Sequence, residues 1–227
     1  MENLTLCASR SSTATMRLRQ WEPGHSQPCF PGTFKLGALN FVFGVSMTKV
    51  DRLIQTWRIK KACRFIPDGA RVLDIGCADG ALFGAVPSIR EGIGIDPRLD
   101  NVRSQDKFLF VRGLFPADLP DQRSFDVIIM LAVLEHIPHR EQNELAINCA
   151  RYLNPGGRLI ITVPAKIADG ILTVLKGLRL IHGMSLEEHY GYDVNQTPAI
   201  FRAAGLVLVR RERFQLGVNN LFVFQRS

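Results

Sequence analysis

Residues 72–80 read Val-Leu-Asp-Ile-Gly-Cys-Ala-Asp-Gly, and this stretch decides the fold. Its apolar first half predicts a β-strand, and the small residues from Gly76 to Gly80 predict a tight turn before a helix. Small residues at such a turn let backbone N–H groups approach a ligand at the carboxyl end of a sheet, the usual binding crevice of an open α/β fold. The stretch therefore predicts a first strand that leads into a ligand-binding loop.

Short apolar runs alternate with helical patterns around this stretch, which predicts an α/β fold. Five strands separated by helices or long crossovers predict a parallel sheet, and two strands joined by the link 215–218 predict an antiparallel hairpin. The strands are predicted at 71–75, 92–95, 108–111, 125–130, 158–163, 206–214 and 221–225, and the helices at 80–88, 140–153, 169–182 and 194–204, after an amphipathic lead-in helix at 47–66. The predicted architecture is Rossmann-like: a mostly parallel, seven-stranded sheet with helices on both faces.

The composition fits one globular domain with a basic appendage. The chain has 227 residues, of which 46% are hydrophobic and 22% are charged, and its net charge is +7. Residues 1–64 hold ten basic and three acidic side chains, so the rest of the chain is formally neutral. Residues 1–45 lack sustained periodicity, which predicts a disordered arm before a single domain at 46–227.

Neither a transmembrane protein nor a disulfide scaffold is predicted. The uncharged stretch between Lys35 and Lys49 is shorter than the roughly 20 apolar residues that cross a bilayer. The five cysteines lie far apart without a C-x-x-C pair, which argues against a zinc cluster or a disulfide framework. We therefore expect a cytoplasmic protein without a transmembrane segment.

A second motif, Gly-Ile-Asp-Pro at 94–97, ends the second predicted strand. Asp96 lies 20 residues after Gly76, where a carboxylate can accept hydrogen bonds from both hydroxyls of a ribose. The sequence lacks the G-x-G-x-x-G and G-x-x-x-x-G-K-[ST] patterns of pyrophosphate and triphosphate sites. Asp74, just before the glycine turn, would repel phosphate but suits the ammonium group of an amino acid. The two motifs predict a nucleoside-containing cofactor.

Further motifs follow at 124–129 (Ser-Phe-Asp-Val-Ile-Ile), 133–137 (Val-Leu-Glu-His-Ile) and 153–159 (Leu-Asn-Pro-Gly-Gly-Arg-Leu). In order and spacing, the motifs between 71 and 164 resemble those of the class I S-adenosylmethionine-dependent methyltransferases, in particular the large small-molecule group with the signature V-L-D-I-G-C-G-x-G. The resemblance implies that S-adenosylmethionine is the cofactor and S-adenosylhomocysteine the product. It also implies a cofactor-binding core at 70–164, a substrate lid at 165–192 and a C-terminal helix and hairpin at 193–227.

The resemblance also implies which residues bind the cofactor. Asp74 and the glycine turn would line the methionine half, Asp96 would bind the ribose hydroxyls, and Leu131 would face the cofactor through its backbone. The full set is Asp74, Gly76, Cys77, Ala78, Gly80, Asp96, Pro97, Gly113, Leu114 and Leu131.

The chain departs from the family pattern at two places. Ala78 replaces the middle glycine of the signature, which is a mild change at negative φ and a cause of strain at positive φ. Many relatives place an acid after the third strand to bind the adenine amino group, and residues 112–115 offer none. We therefore expect backbone groups or apolar stacking to hold the adenine.

Methyl transfer needs little acid–base chemistry, because the sulfonium is already an activated donor and the enzyme chiefly aligns the acceptor. Where the acceptor must lose a proton, His136, His189 and, less strongly, His139 are candidate bases, although each histidine could be structural. No metal site is predicted at Glu135, His136 and His139, because Pro138 interrupts the helical spacing and Ala132 replaces a further glutamate of metal-using relatives.

Three functions remain open. The leading hypothesis is methyl transfer to a small-molecule, lipid or glycan-precursor acceptor. The basic residues before Phe65 motivate the second hypothesis, an RNA methyltransferase, and the missing adenine acid motivates the third, a non-catalytic cofactor-binding scaffold. The predicted helix at 169–182 could pack on the sheet, cover an apolar acceptor or contact a membrane surface.

Overall fold

The structure is a computed structural model that describes residues 49–120, 122–165 and 192–227. The predicted arm at 1–45, the predicted helix at 169–182 and His189 lie outside the described residues. The same holds for the predicted lid apart from its first and last residues. In the described ranges, no helix combines the length and the apolar character needed to span a bilayer.

The secondary structure alternates strands and helices, as predicted. The strands are β1 (Arg71–Ile75), β2 (Glu91–Asp96), β3 (Arg103–Gln105), β4 (Phe108–Arg112), β5 (Phe125–Leu131), β6 (Leu153–Pro164), β7 (Leu206–Phe214) and β8 (Asn219–Arg226). The α-helices are α1 (Lys49–Cys63), α2 (Ala81–Ala85), α3 (His139–Tyr152) and α4 (Thr197–Ala203), with 3-10 turns at Leu134–His136 and Val194–Gln196.

The strands form one sheet in the order β3-β4-β2-β1-β5-β6-β8-β7. The five central strands, β4 to β6 in that order, pair in parallel, whereas β3, β8 and β7 pair antiparallel to their neighbours. The Rossmann-like α/β prediction is therefore confirmed, but the predicted count of seven strands is wrong. The extra strand, β3, has three exposed residues, which is too short for an alternating pattern to reveal it.

Helices cover both faces of the sheet. On one face, Ile59 of α1 and Leu82 of α2 pack in a core cluster with Val72 and Ile129. On the other face, Cys149 of α3 and Phe201 of α4 pack with buried strand residues. Each fully buried side chain of this kind contributes about 1.5–3 kcal/mol, so the two apolar layers hold the sheet between the helices.

Helix ends differ from the predictions where proline or a turn intervenes. The predicted helix at 80–88 is only the five residues of α2, because Pro87 disfavours helical geometry at Val86. The lead-in helix ends at Cys63 and not at residue 66, since the chain turns ahead of Pro67. The predicted helix at 194–204 divides into a 3-10 turn and α4, which has a proline in its first turn.

The carboxyl ends of the parallel strands meet at one edge of the sheet. Ile75 at the end of β1 pairs in register with Ile95 of β2 and Met130 of β5, and Asp96 pairs with Arg112 of β4. The loops that follow these four strands therefore lie side by side, and they contain most of the residues predicted to bind the cofactor.

Candidate active site

The loop after β1 is folded tightly against its neighbours. Gly76 has φ +76, and its N–H donates to the carbonyl oxygen of Ile95 at 2.8 Å. A Cβ atom on Gly76 would lie 2.4 Å from Cγ2 of Val133, and one on Gly80 would lie 2.3 Å from the Phe110 ring. Both glycines are therefore required by close packing as well as by their positive φ.

Ala78, the departure from the family signature, lies in the left-handed region with φ +47. Because this φ is positive, the alanine is a cause of backbone strain and not a mild change. Such strain costs about 1–2 kcal/mol for an L-residue. Its N–H donates to Oδ2 of Asp96 at 2.9 Å. This hydrogen bond to a carboxylate offsets part of that cost.

Asp96 connects three of the loops at this edge. Its carboxylate accepts from Ala78 in the β1 loop and from the backbone N–H of Arg98 at 2.8 Å, just beyond the exposed Pro97. Its carbonyl oxygen accepts from the N–H of Gly113, after β4, at 3.3 Å. Asp96 is 1% exposed, so its position is fixed by the protein from several sides.

The site is strongly acidic at its centre. Burial raises the pKa of the Asp74 carboxyl well above its ordinary range, and the nearby Asp96 and Asp79 raise it further. Burial, followed by Asp74 and Asp96, also raises the pKa of the Cys77 thiol, which keeps that thiol neutral. Like-charged carboxylates in a buried site favour either protonation or a cationic ligand.

The loop after β4 contains an acid that the sequence analysis missed. The chain turns back after Phe115, and Oδ2 of Asp118 accepts from the N–H of Leu114 at 2.8 Å. A Cβ atom on Gly113 would lie 2.4 Å from Cβ of Asp118. Residues 112–115 contain no acid, as the sequence analysis states, and the exposed Asp118 lies three residues further along the chain.

A separate group of polar side chains follows β5. Leu131 ends the strand, and the chain turns through Ala132, with φ +58, into the 3-10 turn that contains Glu135 and His136. Glu135 is buried and His136 is partly buried. This turn lies at the same edge of the sheet as the acidic loops, because β5 pairs directly with β1.

Glu135 and His139, where the sequence analysis predicts no metal site, differ in their exposure, since Glu135 is buried and His139 is exposed. His139 is exposed at the first residue of α3, and its ring stacks on Tyr192 with centroids 6.1 Å apart. The Tyr192 hydroxyl lies 2.6 Å from Oγ1 of Thr197, and burial raises the pKa of Tyr192 to about 12. The absence of a metal site stays a prediction.

The lead-in helix α1 contacts the site, which the sequence did not indicate. Gln55 donates to Oδ1 of Asp79 at 3.1 Å, and Arg58 donates to Oδ1 of Asn219 at 3.3 Å. Burial lowers the pKa of Arg58, whereas the negative charge of Glu135 acts in the opposite direction. Helix α1 therefore connects the acidic loop of β1 to the start of β8.

Comparisons with known proteins agree with this geometry. The family described as Methyltransferase domain matches residues 48–210. A probable S-adenosylmethionine-dependent methyltransferase of Mycolicibacterium smegmatis is 29% identical over 150 residues, which cover 61% of this chain and 58% of that protein. A ubiquinone biosynthesis O-methyltransferase of Maricaulis maris is 28% identical over 128 residues, which cover 51% of this chain and 49% of that protein. The chain thus spans about half the length of these relatives.

Solved methyltransferases share the fold. Magnesium protoporphyrin IX methyltransferase from Synechocystis PCC 6803, solved with bound S-adenosylhomocysteine, has a TM-score of 0.59 at 18% identity, with 81% of this chain and 90% of that chain covered. The N-methyltransferase NodS from Bradyrhizobium japonicum WM9, also solved with this product, has a TM-score of 0.52 at 16% identity, with 79% and 89% covered. Because the family match spans most of the chain, we conclude that the protein belongs to the class I S-adenosylmethionine-dependent methyltransferases.

Proposed function

We propose that the protein transfers a methyl group from S-adenosylmethionine to a small-molecule, lipid or glycan-precursor acceptor. The observation that carries this proposal is the acidic group formed by buried Asp74 and Asp96 with exposed Asp79. Burial is the largest cause of the raised pKa of Asp74, and the charges of Asp96 and Asp79 add to it. S-adenosylmethionine has a positively charged sulfonium and an α-ammonium group. A cation in contact with these carboxylates would remove their repulsion, so the charge of the site fits the charge of the cofactor.

The ribose would be held by Asp96, whose side chain the protein has already oriented. Each of its carboxylate oxygens accepts one backbone N–H, from Ala78 and from Arg98. The Arg98 side chain also contacts this carboxylate, with its Nε 3.4 Å from Oδ1. A carboxylate has about four acceptor positions, so one stays open for a ribose hydroxyl, and the exposed Arg98 side chain would move aside for the second. Gly76, Cys77, Ala78 and Gly80 would line the methionine half, and Pro97 and Leu131 would contact the cofactor from the ends of β2 and β5.

The adenine would lie against the loop after β4. Asp118 is exposed and next to Gly113 and Leu114, so its carboxylate can accept from the adenine amino group. This replaces our expectation that backbone or apolar contacts alone hold the base.

When bound, S-adenosylmethionine supplies a methyl group on an already activated sulfonium. The chain then has to orient the acceptor, exclude water and, for a protonated acceptor, remove a proton. His136, in the turn after β5, is the proposed base among the described residues. Tyr192, with its pKa raised to about 12, stays protonated at neutral pH and therefore does not act as the base. His189 stays a prediction.

The similarity to small-molecule methyltransferases favours a small acceptor. The relative from Maricaulis maris is named for ubiquinone biosynthesis, and the neighbour from Synechocystis for a magnesium porphyrin. Both names refer to small organic molecules. Buried Asn220, at the start of β8, has no hydrogen-bond partner for its Oδ1 atom within the described ranges, and we propose that it binds a polar group of the acceptor.

A calorimetric titration with S-adenosylhomocysteine tests the cofactor site. We expect micromolar binding to the intact protein, and Asp96→Ala should weaken it about 100-fold, because hydrogen bonds to a charged group contribute about 1.5–3 kcal/mol each. Asp100→Asn is the matched control, since its side chain is exposed and should leave the affinity unchanged. Full affinity in a folded Asp96→Ala variant would contradict the proposed ribose contact.

The acceptor class is tested with S-adenosylmethionine labelled in its methyl group. The protein is incubated with a lysate separated into an organic extract, an RNA fraction and a polypeptide fraction. Label in the organic extract, reduced in His136→Gln, supports the proposal. Label confined to RNA would favour the alternative of an RNA methyltransferase, and no label in any fraction despite cofactor binding would favour the scaffold.

A further inference from the structure

The outward face of α1 combines large apolar and basic side chains. Leu53 and Trp57 are one helical turn apart and are 55% and 48% exposed. Arg52 and Lys60 are also exposed, and Lys60 follows Trp57 by about one helical turn. The single acidic residue of α1, Asp51, is buried, so the exposed residues of the helix are apolar, cationic or, at Thr56, neutral. We call this surface, together with Leu216, the α1 face.

Leu216 lies at the tip of the β7–β8 hairpin and is fully exposed. Its φ is +56, in the left-handed region that favours glycine. A leucine at this position is unfavourable for two reasons, because its backbone lies in a region that favours glycine and because its apolar side chain is exposed to solvent. The tight hairpin turn accounts for the positive φ, since Gln215 shares it at +51. The turn does not need an exposed leucine side chain, which adds apolar surface at the hairpin tip.

The hairpin tip and α1 are adjacent. Gln215, next to Leu216, donates from Nε2 to the carbonyl oxygen of Ile54 at 3.1 Å. Leu216 therefore lies in a turn that contacts α1, and we assign it to the same surface as Leu53 and Trp57. This surface borders the acidic loops, since α1 also reaches Asp79 through Gln55.

Further basic residues surround the strip. Glu212 of β7 lies 2.8 Å from Arg210, 3.2 Å from Lys61 and 3.6 Å from Arg64. One carboxylate thus faces three cations, and Arg52 and Lys60 add two more. The α1 face with its surroundings has a clear excess of positive charge.

We propose that the α1 face docks on the surface of an anionic lipid bilayer. Tryptophan and leucine that project from a helix enter the boundary between headgroups and acyl chains, while lysine and arginine beside them attract anionic headgroups. An RNA would satisfy the positive charges but would leave Leu216 without an apolar partner. This proposal goes beyond the proposed methyl transfer and does not depend on it.

Vesicle binding of the full chain tests the proposal directly. The probes are vesicles of phosphatidylglycerol with phosphatidylcholine, and vesicles of phosphatidylcholine alone. Trp21→Phe leaves Trp57 as the single tryptophan. We expect co-sedimentation with the anionic vesicles and a blue shift of Trp57 emission, both suppressed by high salt. Binding without any change at Trp57, or equal binding to both kinds of vesicle, would overturn the assignment.

Leu216→Gly distinguishes a binding role from a structural one. Glycine removes the strain at φ +56, so this variant should melt at a higher temperature, while its vesicle affinity should fall about tenfold through the lost apolar side chain. Arg52→Glu with Lys60→Glu should reduce the affinity by about fivefold or more per residue. The control is Ile147→Ser on α3, which removes another exposed apolar side chain, at 59% exposure, from a helix far along the sequence.

The remaining outcomes also decide the question. Unchanged vesicle affinity in Leu216→Gly, or an equal loss in Ile147→Ser, would overturn the proposal. Binding of an RNA oligonucleotide in place of the anionic vesicles would also overturn the proposal. The α1 face would then be a nucleic-acid surface if the RNA affinity were salt-sensitive and were lost in the Arg52→Glu, Lys60→Glu variant.

Discussion

The acidic loops after β1 and β2 and the basic α1 face use charge in opposite ways. Asp74 and Asp96 are buried at 4% and 1% exposure, and burial is the largest cause of the raised pKa of Asp74. Arg52 and Lys60 are exposed, so water and salt screen them. A single buried carboxylate therefore changes the pKa of its neighbour strongly, whereas the exposed charges of the α1 face attract a partner only through their sum.

Both regions also contain a non-glycine residue with positive φ. Ala78, at φ +47, gains a hydrogen bond from its N–H to Asp96. Leu216, at φ +56, lies at an exposed turn. The comparison teaches that a positive φ at a non-glycine residue can belong to a prearranged site in one place and to a tight hairpin turn that presents an apolar side chain in another.

The largest effect on the acidic side should come from Gly76→Ala. The added Cβ would meet Val133 at 2.4 Å, and the positive φ adds its own cost, so we expect a loss of about 3–5 kcal/mol in the free energy of unfolding. Gly84→Ala is the control, because it lies in α2 with open space around it and should stabilise the protein by about 0.5–1 kcal/mol. Urea unfolding measures both, and similar midpoints would refute the tight packing of the loop.

Asp74→Asn should change how stability depends on pH. Because the folded state raises the pKa of Asp74, the folded protein holds this proton more tightly than the unfolded chain, and its stability falls as the pH rises from about 4 toward the raised pKa. The asparagine variant lacks this loss. At neutral pH and without cofactor it should melt about 5 °C higher than the parent.

Melting curves of the two proteins across the pH range check this expectation. The difference in melting temperature should be small in acid and should grow with pH. The same variant should bind S-adenosylhomocysteine more weakly, since it lacks the carboxylate proposed to face the ammonium group. A constant difference at all pH values would exclude the titration of Asp74 as the cause.

Ala78→Gly measures the strain in the cofactor loop. Removing the Cβ should stabilise the protein by about 0.5–1 kcal/mol, because relief of the left-handed strain exceeds the added entropy of the unfolded chain. The control, Ala199→Gly, lies exposed in α4 at ordinary helical geometry and should lose about 1 kcal/mol. Chemical denaturation of both variants gives the sign, and a loss in both would show that Ala78 is unstrained.

The smallest effect should come from Glu212→Gln beside the α1 face. Hydrogen bonding from Arg210 is the largest cause that lowers the pKa of Glu212, so this stabilisation is present at neutral pH and is lost as the pH falls through the lowered value. The ion pairs involve exposed basic partners, and we expect a loss below about 1 kcal/mol that disappears in high salt. A larger, salt-independent loss in the free energy of unfolding, measured with urea, would show that this exposed ion-pair group contributes as much as the buried carboxylates do.

The sequence predicted the parallel core well, because buried parallel strands are continuous apolar runs between turn signals. The predicted bounds of β1 and β7 agree with the structure, and the hairpin link at 215–218 lies where it was expected. The strand β3 was not predicted, since its three exposed residues leave no periodic signal. The helix α2 was predicted too long, because the effect of Pro87 on the preceding residue ends it early.

The site was predicted in part. The acidic and glycine positions follow from spacing alone, as Asp96 and Gly76 show. Asp118 itself is present in the sequence just after residue 115, but its return to the N–H of Leu114 depends on how the loop turns in space. The contacts of α1 with Asp79 and Asn219 depend likewise on the tertiary structure, which no local pattern encodes. Likewise, the positive φ of Leu216 is invisible in the sequence, because leucine gives no turn signal.

The position of β8 between β6 and β7 affects the order in which the sheet can be completed during synthesis. Strand β6 pairs with β8, and β7 pairs with β8 but not with β6. Until residues 219–226 have left the ribosome, β6 therefore exposes an unpaired edge and β7 has no neighbour. An unpaired edge invites pairing with other chains, so a nascent chain that stalls before Asn219 is exposed to aggregation even though all its parallel strands have been made.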